Sequence, residues 1–237
     1  MSDEDKNESN FVSSAVFGFI VIGALVFFWP SLIAPFRFFE FWMIKGSLWE
    51  ATKNAWPLYL WGIGATAVML VIKRDGLRGE DPVEIFLGGT VISLLAGVLE
   101  EVAFRWLIFF SAIVMIPVMD WLLLGFMGLH WIKWIYMVVL CPVANFFTLG
   151  YLEQYLLNGY GWAVAAGIIS ANGDFRDGHR YLGPLGYVNS WFLGMYFFWV
   201  VFNYGLIAAI IIHFLYDFFI FCTVAFGASL MSRRRWA

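Results

Sequence analysis

Residues 83–119 read VEIFLGGTVISLLAGVLEEVAFRWLIFFSAIVMIPVM and decide the fold of this 237-residue chain. The stretch is apolar over a greater length than the ~20 residues that one helix needs to cross a hydrocarbon core of ~30 Å. It nevertheless holds two acids and a base near its centre, Glu100, Glu101 and Arg105. It therefore predicts a tilted or broken long transmembrane helix, or two short ones, with ionisable groups inside the membrane.

The composition of the whole chain is that of a membrane protein. Hydrophobic residues make up 62% and charged residues 13%, whereas a soluble domain carries roughly 45–50% and about 25%. We expect an all-α polytopic bundle of about six to eight transmembrane helices in contact with lipid. The net charge of −3 gives no indication of a nucleic-acid partner. Cys141 and Cys222 both lie in apolar stretches and imply no disulfide framework.

The hydrophobic pattern divides the chain into four regions. They are a polar tail (1–10), two spans joined by an interfacial amphipathic segment (11–82), the main membrane domain (83–230) and a basic tail (231–237). Residues 170–189, rich in Gly, Asn, Asp and Pro, are predicted to form a long solvent-exposed loop and the contact for any partner subunit. Segments rich in Lys and Arg next to a membrane span tend to stay on the cytoplasmic side. The three arginines of the basic tail therefore favour a multi-pass topology with both termini in the cytoplasm.

The first group of candidate functional residues is Glu100, Glu101 and Arg105. An ionisable group inside a span costs ~2.5–3.5 kcal/mol on insertion scales, so it is a functional candidate by default. Glu101 and Arg105 are four residues apart and can pair on one helical face. Glu100 lies about 100° around the helix from Glu101, which leaves its carboxylate available as a general base. The alternative is a helix–helix salt bridge with a spare acid.

Two further groups have the same i, i+4 spacing. Phe126 and His130 share one helical face, and His213 and Asp217 share another within the apolar run GLIAAIIIHFLYDFFIF. A lone histidine such as His130 can also be purely structural. The third histidine, His179, lies in the polar stretch and is interpreted as a solvated loop residue.

Together and in this order, the three groups resemble the CPBP family of membrane proteins, which includes the type II CAAX prenyl endopeptidases and the bacteriocin-processing proteases. The family motifs are Glu-Glu-x-x-x-Arg, Phe-x-x-x-His and His-x-x-x-Asn or Asp. The resemblance covers about residues 83–222. It implies that the catalytic residues are Glu100, His130, His213 and Asp217, with Glu101, Arg105 and Phe126 in structural support.

The resemblance implies hydrolysis of a peptide bond in a membrane-associated substrate, without a cofactor. Glu100 and His130 would activate a water, and His213 would stabilise the oxyanion. The segment between the two histidines is longer than the family usually has, and Asp217 stands where the prenyl endopeptidases have asparagine. Because an ionised aspartate can only accept hydrogen bonds, Asp217 would have to be protonated or to orient His213.

The same residues permit other functions. One glutamate and two histidines suit zinc, although the His-Glu-x-x-His spacing of zinc peptidases is absent. A non-catalytic protein with the CPBP fold could serve as a scaffold or assembly subunit of a larger membrane complex, since a fold does not determine a function. In a third hypothesis His130 and His213 ligate a haem or a chlorophyll, which leaves the Glu-Glu-Arg group unexplained.

Overall fold

A computed structural model describes residue 20 and residues 36–72 and 80–233, and every regular element in these ranges is helical. The all-α prediction is thus confirmed for this part of the chain. The predicted tail at 1–10 and the first predicted span, apart from residue 20, lie outside the described residues. So do residues 73–79 and, in the basic tail, residues 234–237.

Eight helices follow one another in the described residues. They are α1 (Leu48–Asn54), α2 (Trp56–Ile72), α3 (Pro82–Leu122), α4 (Trp131–Phe147), α5 (Glu153–Leu156), α6 (Trp162–Gly178), α7 (Gly183–Tyr204) and α8 (Leu206–Arg233). Short 3-10 turns occupy Phe38–Trp42, Gly125–Met127 and Arg180–Leu182.

Three helical segments are long and apolar enough to cross a membrane: Pro82–Leu122, Arg180–Tyr204 and Leu206–Met231. The pair α1 and α2, bent by 45°, adds a fourth if it is one span. These segments indicate a protein integrated in a membrane. Residues 83–119 belong to a single continuous helix, in which Glu101–Ile108 is wound as a π-helix.

The α3 and α8 backbones approach closely at a glycine just before the charged group. A Cβ atom on Gly97 would lie 3.0 Å from both the Ile210 carbonyl oxygen and the Phe214 amide nitrogen. Small residues permit such close contacts between membrane helices. The contact holds the following turn of α3, with its two glutamates, against the N-terminal third of α8.

Residues 170–189 are helical, which corrects the prediction of an exposed loop. Helix α6 continues to Gly178, and α7 begins after one 3-10 turn. Asn172 is buried and donates to the Trp191 carbonyl. Asp177 accepts hydrogen bonds from neighbouring arginines and from Tyr187. The polar side chains that suggest a loop in the sequence thus bond to one another and to backbone within a helical turn.

The segment before α1 is partly inserted into the core and contains one 3-10 turn, Phe38–Trp42. The rings of Phe36 and Phe41 pack against Phe109 and Phe202. The Lys45 ammonium donates to the Phe202 carbonyl oxygen at 3.2 Å. These contacts anchor residues 36–45 to the end of α7.

Candidate functional site

Ionisable side chains from three helices meet where α3, α6 and α8 contact one another. They are Glu100, Glu101 and Arg105 of α3, His179 at the end of α6, and His213 and Asp217 of α8. Five of these six were singled out in the sequence as candidate functional residues, and the structure brings those five together.

Glu101 bonds to both a cation and a histidine. Its Oε1 lies 3.3 Å from Arg105 Nη1, which confirms the predicted pairing of these two residues, and both side chains are fully buried. The same oxygen lies 2.8 Å from His213 Nδ1. Since a carboxylate accepts, Nδ1 carries the proton. Glu101 therefore fixes the orientation of the His213 ring and directs Nε2 away from itself.

The Arg105 guanidinium is enclosed by aromatic rings. Its Cζ lies 4.0 Å from the ring centroid of Phe175, 5.3 Å from that of Phe197 and 5.9 Å from that of Phe198. Aromatic faces attract a cation and offset part of its desolvation cost. The aromatic enclosure and Glu101 together hold a charged side chain inside the bundle.

Two histidines present their Nε2 atoms to one oxygen of Glu100. His179 Nδ1 donates to the Phe175 carbonyl oxygen at 2.7 Å, and its Nε2 lies 3.8 Å from Glu100 Oε2. His213 Nε2 lies 3.9 Å from the same oxygen. These separations exceed a direct hydrogen bond, but one water with bonds of about 2.8 Å can bridge each pair. The Glu100 side chain is 27% exposed, whereas its Oε2 atom is itself buried.

Asp217 completes the cluster on the other side of His213. Its Oδ2 lies 3.5 Å from His213 Nε2, and its side chain is 22% exposed. Because Glu101 already holds Nδ1, Asp217 is not needed to fix the orientation of the ring. His213 Nε2 instead lies between the carboxylates of Glu100 and Asp217.

His130 lies elsewhere, which corrects its predicted position beside Glu100. Its Nδ1 lies 2.6 Å from Asp120 Oδ2, and its side chain is 49% exposed. Asp120 also accepts from the Lys133 amide, which ties the end of α3 to the start of α4. Asp120 follows Glu101 by 19 residues on α3, about 28 Å at ~1.5 Å per residue. Phe126 is exposed beside this turn and not packed on the cluster.

A second Phe-x-x-x-His spacing occurs where His130 was expected to act. Residues 175–179 read FRDGH, so Phe175 and His179 have the same separation as Phe126 and His130. The Phe175 ring contacts both the Arg105 guanidinium and the His179 ring, at 4.0 and 4.6 Å between centres. This Phe-x-x-x-His spacing is present in the sequence, but the polar residues beside it favour a loop with a solvated histidine.

Among the residues that the structure describes, no group of three or more His, Cys, Asp or Glu side chains is arranged to hold a metal ion. Comparisons of the chain with protein-family models, with curated proteins and with solved structures find no match.

Proposed function

We propose that this chain is a CPBP-like intramembrane glutamic endopeptidase that hydrolyses a peptide bond of a membrane-associated substrate. One observation carries the proposal. Glu100 faces the Nε2 atoms of two histidines whose Nδ1 atoms are already engaged, one by a carbonyl and one by a carboxylate. A carboxylate and two oriented imidazoles are the groups that activate water and stabilise an oxyanion.

Glu100 acts as the general base in this proposal. A water held between Glu100 Oε2 and His179 Nε2 attacks the carbonyl carbon of the substrate and gives its proton to Glu100. His179 takes the part that the family resemblance assigns to the histidine of the second motif. Its Nδ1–H bond to Phe175 keeps the Nε2 lone pair directed at the water.

His213 stabilises the oxyanion that forms. With Nδ1–H bonded to Glu101, a second proton on Nε2 makes the ring an imidazolium. The Nε2–H group then donates to the carbonyl oxygen as negative charge develops on it. Glu101, Arg105 and Phe175 are positioning residues, because they reach the reaction through the two histidines.

We also propose six membrane crossings. The three long apolar segments and the bent pair α1 and α2 supply four. The predicted span within residues 11–29 and the 17-residue apolar helix α4 supply two more. An even number places both termini on one side, which the arginines near the C-terminus identify as the cytoplasm.

The experiment is a search for peptide termini that depend on Glu100. Membranes from cells producing the wild-type chain, Glu100→Gln or Glu84→Gln are incubated in ¹⁸O-labelled water, and new C-termini carrying ¹⁸O are identified by mass spectrometry. Glu84 is an exposed glutamate on the same helix, so it controls for the substitution itself. Labelled termini should form with the wild type and with Glu84→Gln. With Glu100→Gln their yield should fall by a factor on the order of 10²–10⁴.

Equal yields of labelled termini in all three membranes would contradict the peptidase proposal. If Glu100→Gln also retained the cellular function of the chain, a scaffold or assembly role would take its place. A visible absorption band in the purified protein would instead favour the haem or chlorophyll hypothesis.

A further inference from the structure

The position of Asp217 is not explained by the steps proposed so far. Its Oδ2 is 3.5 Å from His213 Nε2, and Glu100 Oε2 is 3.9 Å from the same nitrogen. The orienting role that an aspartate usually has toward a histidine is filled by Glu101, at Nδ1. Asp217 is therefore a second carboxyl group on the reactive side of the imidazole.

Asp217 and Glu100 are two acids that approach the same nitrogen of His213. The titratable groups that face it are Glu100 and Glu101 of α3, His179 of α6, Tyr181 of the following turn, and His213 of α8. Glu101 is neutralised by Arg105. This leaves Glu100 and Asp217 as two acids close to the same imidazole nitrogen, so one of them can give a proton while the other takes one.

We propose that Asp217 is the general acid of the reaction, protonating the amine that leaves, while Glu100 is the general base. The inference rests on the proposed peptidase function and assigns to Asp217 a step that an asparagine cannot perform. An amide side chain has no proton of suitable acidity to transfer, whereas a protonated carboxyl group has one.

The step balances as follows. The water oxygen bonds to the carbonyl carbon, and one water proton moves to the ionised Glu100. The carbon–nitrogen bond then breaks, its electron pair stays on nitrogen, and the nitrogen takes the proton of Asp217. The products are a carboxylic acid and an amine, with Glu100 protonated and Asp217 ionised.

His213 lies on the path that restores the starting state. Its Nε2 passes a proton to Asp217 and receives the proton that Glu100 holds. This nitrogen lies 3.9 Å from Glu100 and 3.5 Å from Asp217, so a bridging water can carry the proton without a movement of either helix.

The test measures the pH dependence of the same labelled termini, with endogenous membrane peptides as the probe. The wild type, Asp217→Asn, Asp217→Glu and Glu100→Gln are compared from mildly acidic to mildly alkaline conditions. A general acid must be protonated, so the wild-type rate should fall on the alkaline side. Asp217→Asn should lower the maximal rate by a factor on the order of 10²–10⁴ and shift that alkaline limb, because only His213 must then keep its proton. Asp217→Glu should retain the limb.

The outcomes separate this inference from the function on which it rests. If Asp217→Asn keeps the wild-type rate and profile while Glu100→Gln is inactive, Glu100 returns its own proton to the amine and the inference is overturned alone. If no Glu100-dependent termini form, both proposals fail. Should Asp217→Asn not fold, as judged by thermal unfolding, an Asp217→Glu profile without an alkaline limb would overturn the inference.

Discussion

His213 Nδ1 lies 2.8 Å from Glu101 Oε1, although the two residues are 112 positions apart in the chain. The bond joins the centre of α3 to the N-terminal third of α8 and determines which nitrogen of the imidazole faces Glu100. The adjacent glutamates therefore have separate tasks, one holding a histidine and the other left available for chemistry.

Glu101→Gln should act mainly on stability, by lowering the free energy of unfolding of the protein. Arg105 would be left as a buried charge without a carboxylate, which costs about 3–5 kcal/mol. We expect a marked fall in the thermal unfolding temperature in detergent and a lower yield of folded protein. The double variant Glu101→Gln with Arg105→Met should recover part of the loss, because no buried charge then remains. A double variant less stable than Glu101→Gln would contradict the ion-pair explanation.

His179→Gln and His130→Gln form a matched pair that tests which histidine belongs to the site. His179→Gln should lower the yield of Glu100-dependent termini by a factor on the order of 10²–10⁴, because the water loses its second partner. His130→Gln should leave that yield near the wild-type level and affect only the Asp120 contact at the turn into α4. The reverse result would place the reaction near His130, beyond the C-terminal end of α3.

Gly97→Ala should push α3 and α8 apart. The added methyl group would lie 3.0 Å from backbone atoms of Ile210 and Phe214, neither of which can rotate away. Overpacking of this kind costs ~1–3 kcal/mol and would lengthen the Glu101–His213 bond, so both stability and activity should fall. Gly88→Ala is the control on the same helix, where a Cβ meets nothing within 4 Å. There the change should be neutral or stabilising by up to ~1 kcal/mol, as measured by thermal unfolding.

Asp177 should contribute a pH-dependent part of the stability. Its partial burial opposes ionisation, but hydrogen bonds from Tyr187 and Arg176 and the charges of Arg176 and Arg180 hold its pKa below the ordinary value. An acid whose pKa is lowered by folding stabilises the protein above its unfolded pKa of about 3.9 and loses that effect as pH falls through the folded pKa.

The measurement for Asp177 is the unfolding temperature of the wild type and of Asp177→Asn across acidic and neutral pH. The two proteins should differ at neutral pH and converge in acid. Tyr187→Phe removes one hydrogen-bond donor to Asp177. In proteins that carry this change, the effect of Asp177→Asn on the unfolding temperature at neutral pH should be smaller. A difference that stays constant with pH would show that the carboxylate charge is not responsible.

The long helix and the Glu101–Arg105 pair could be predicted because both depend on local sequence. An apolar run of that length favours a helix in a membrane, and an i, i+4 spacing brings two side chains to one face.

The position of His179 could not be predicted from composition. Its neighbours Asp177 and Arg180 favour a loop when read one by one. In the folded chain they bond to each other, and Phe175 is turned inward onto Arg105. The spacing Phe-x-x-x-His occurs twice, and only the packing of α6 against α3 distinguishes the two.

The π-helical turns at Glu101–Ile108 allow α3 to pack against two different helices. Before them the helix packs mainly along α8, and after them mainly along α6. A uniformly α-helical segment would keep one stripe of side chains toward one partner, whereas the wider turns rotate the second half relative to the first. Glu100, Glu101 and Arg105 stand at this change of partner, so a single turn of backbone reaches a histidine on each neighbouring helix. Removing one residue from these turns would rewind them and send the two halves of the site to different sides of the bundle.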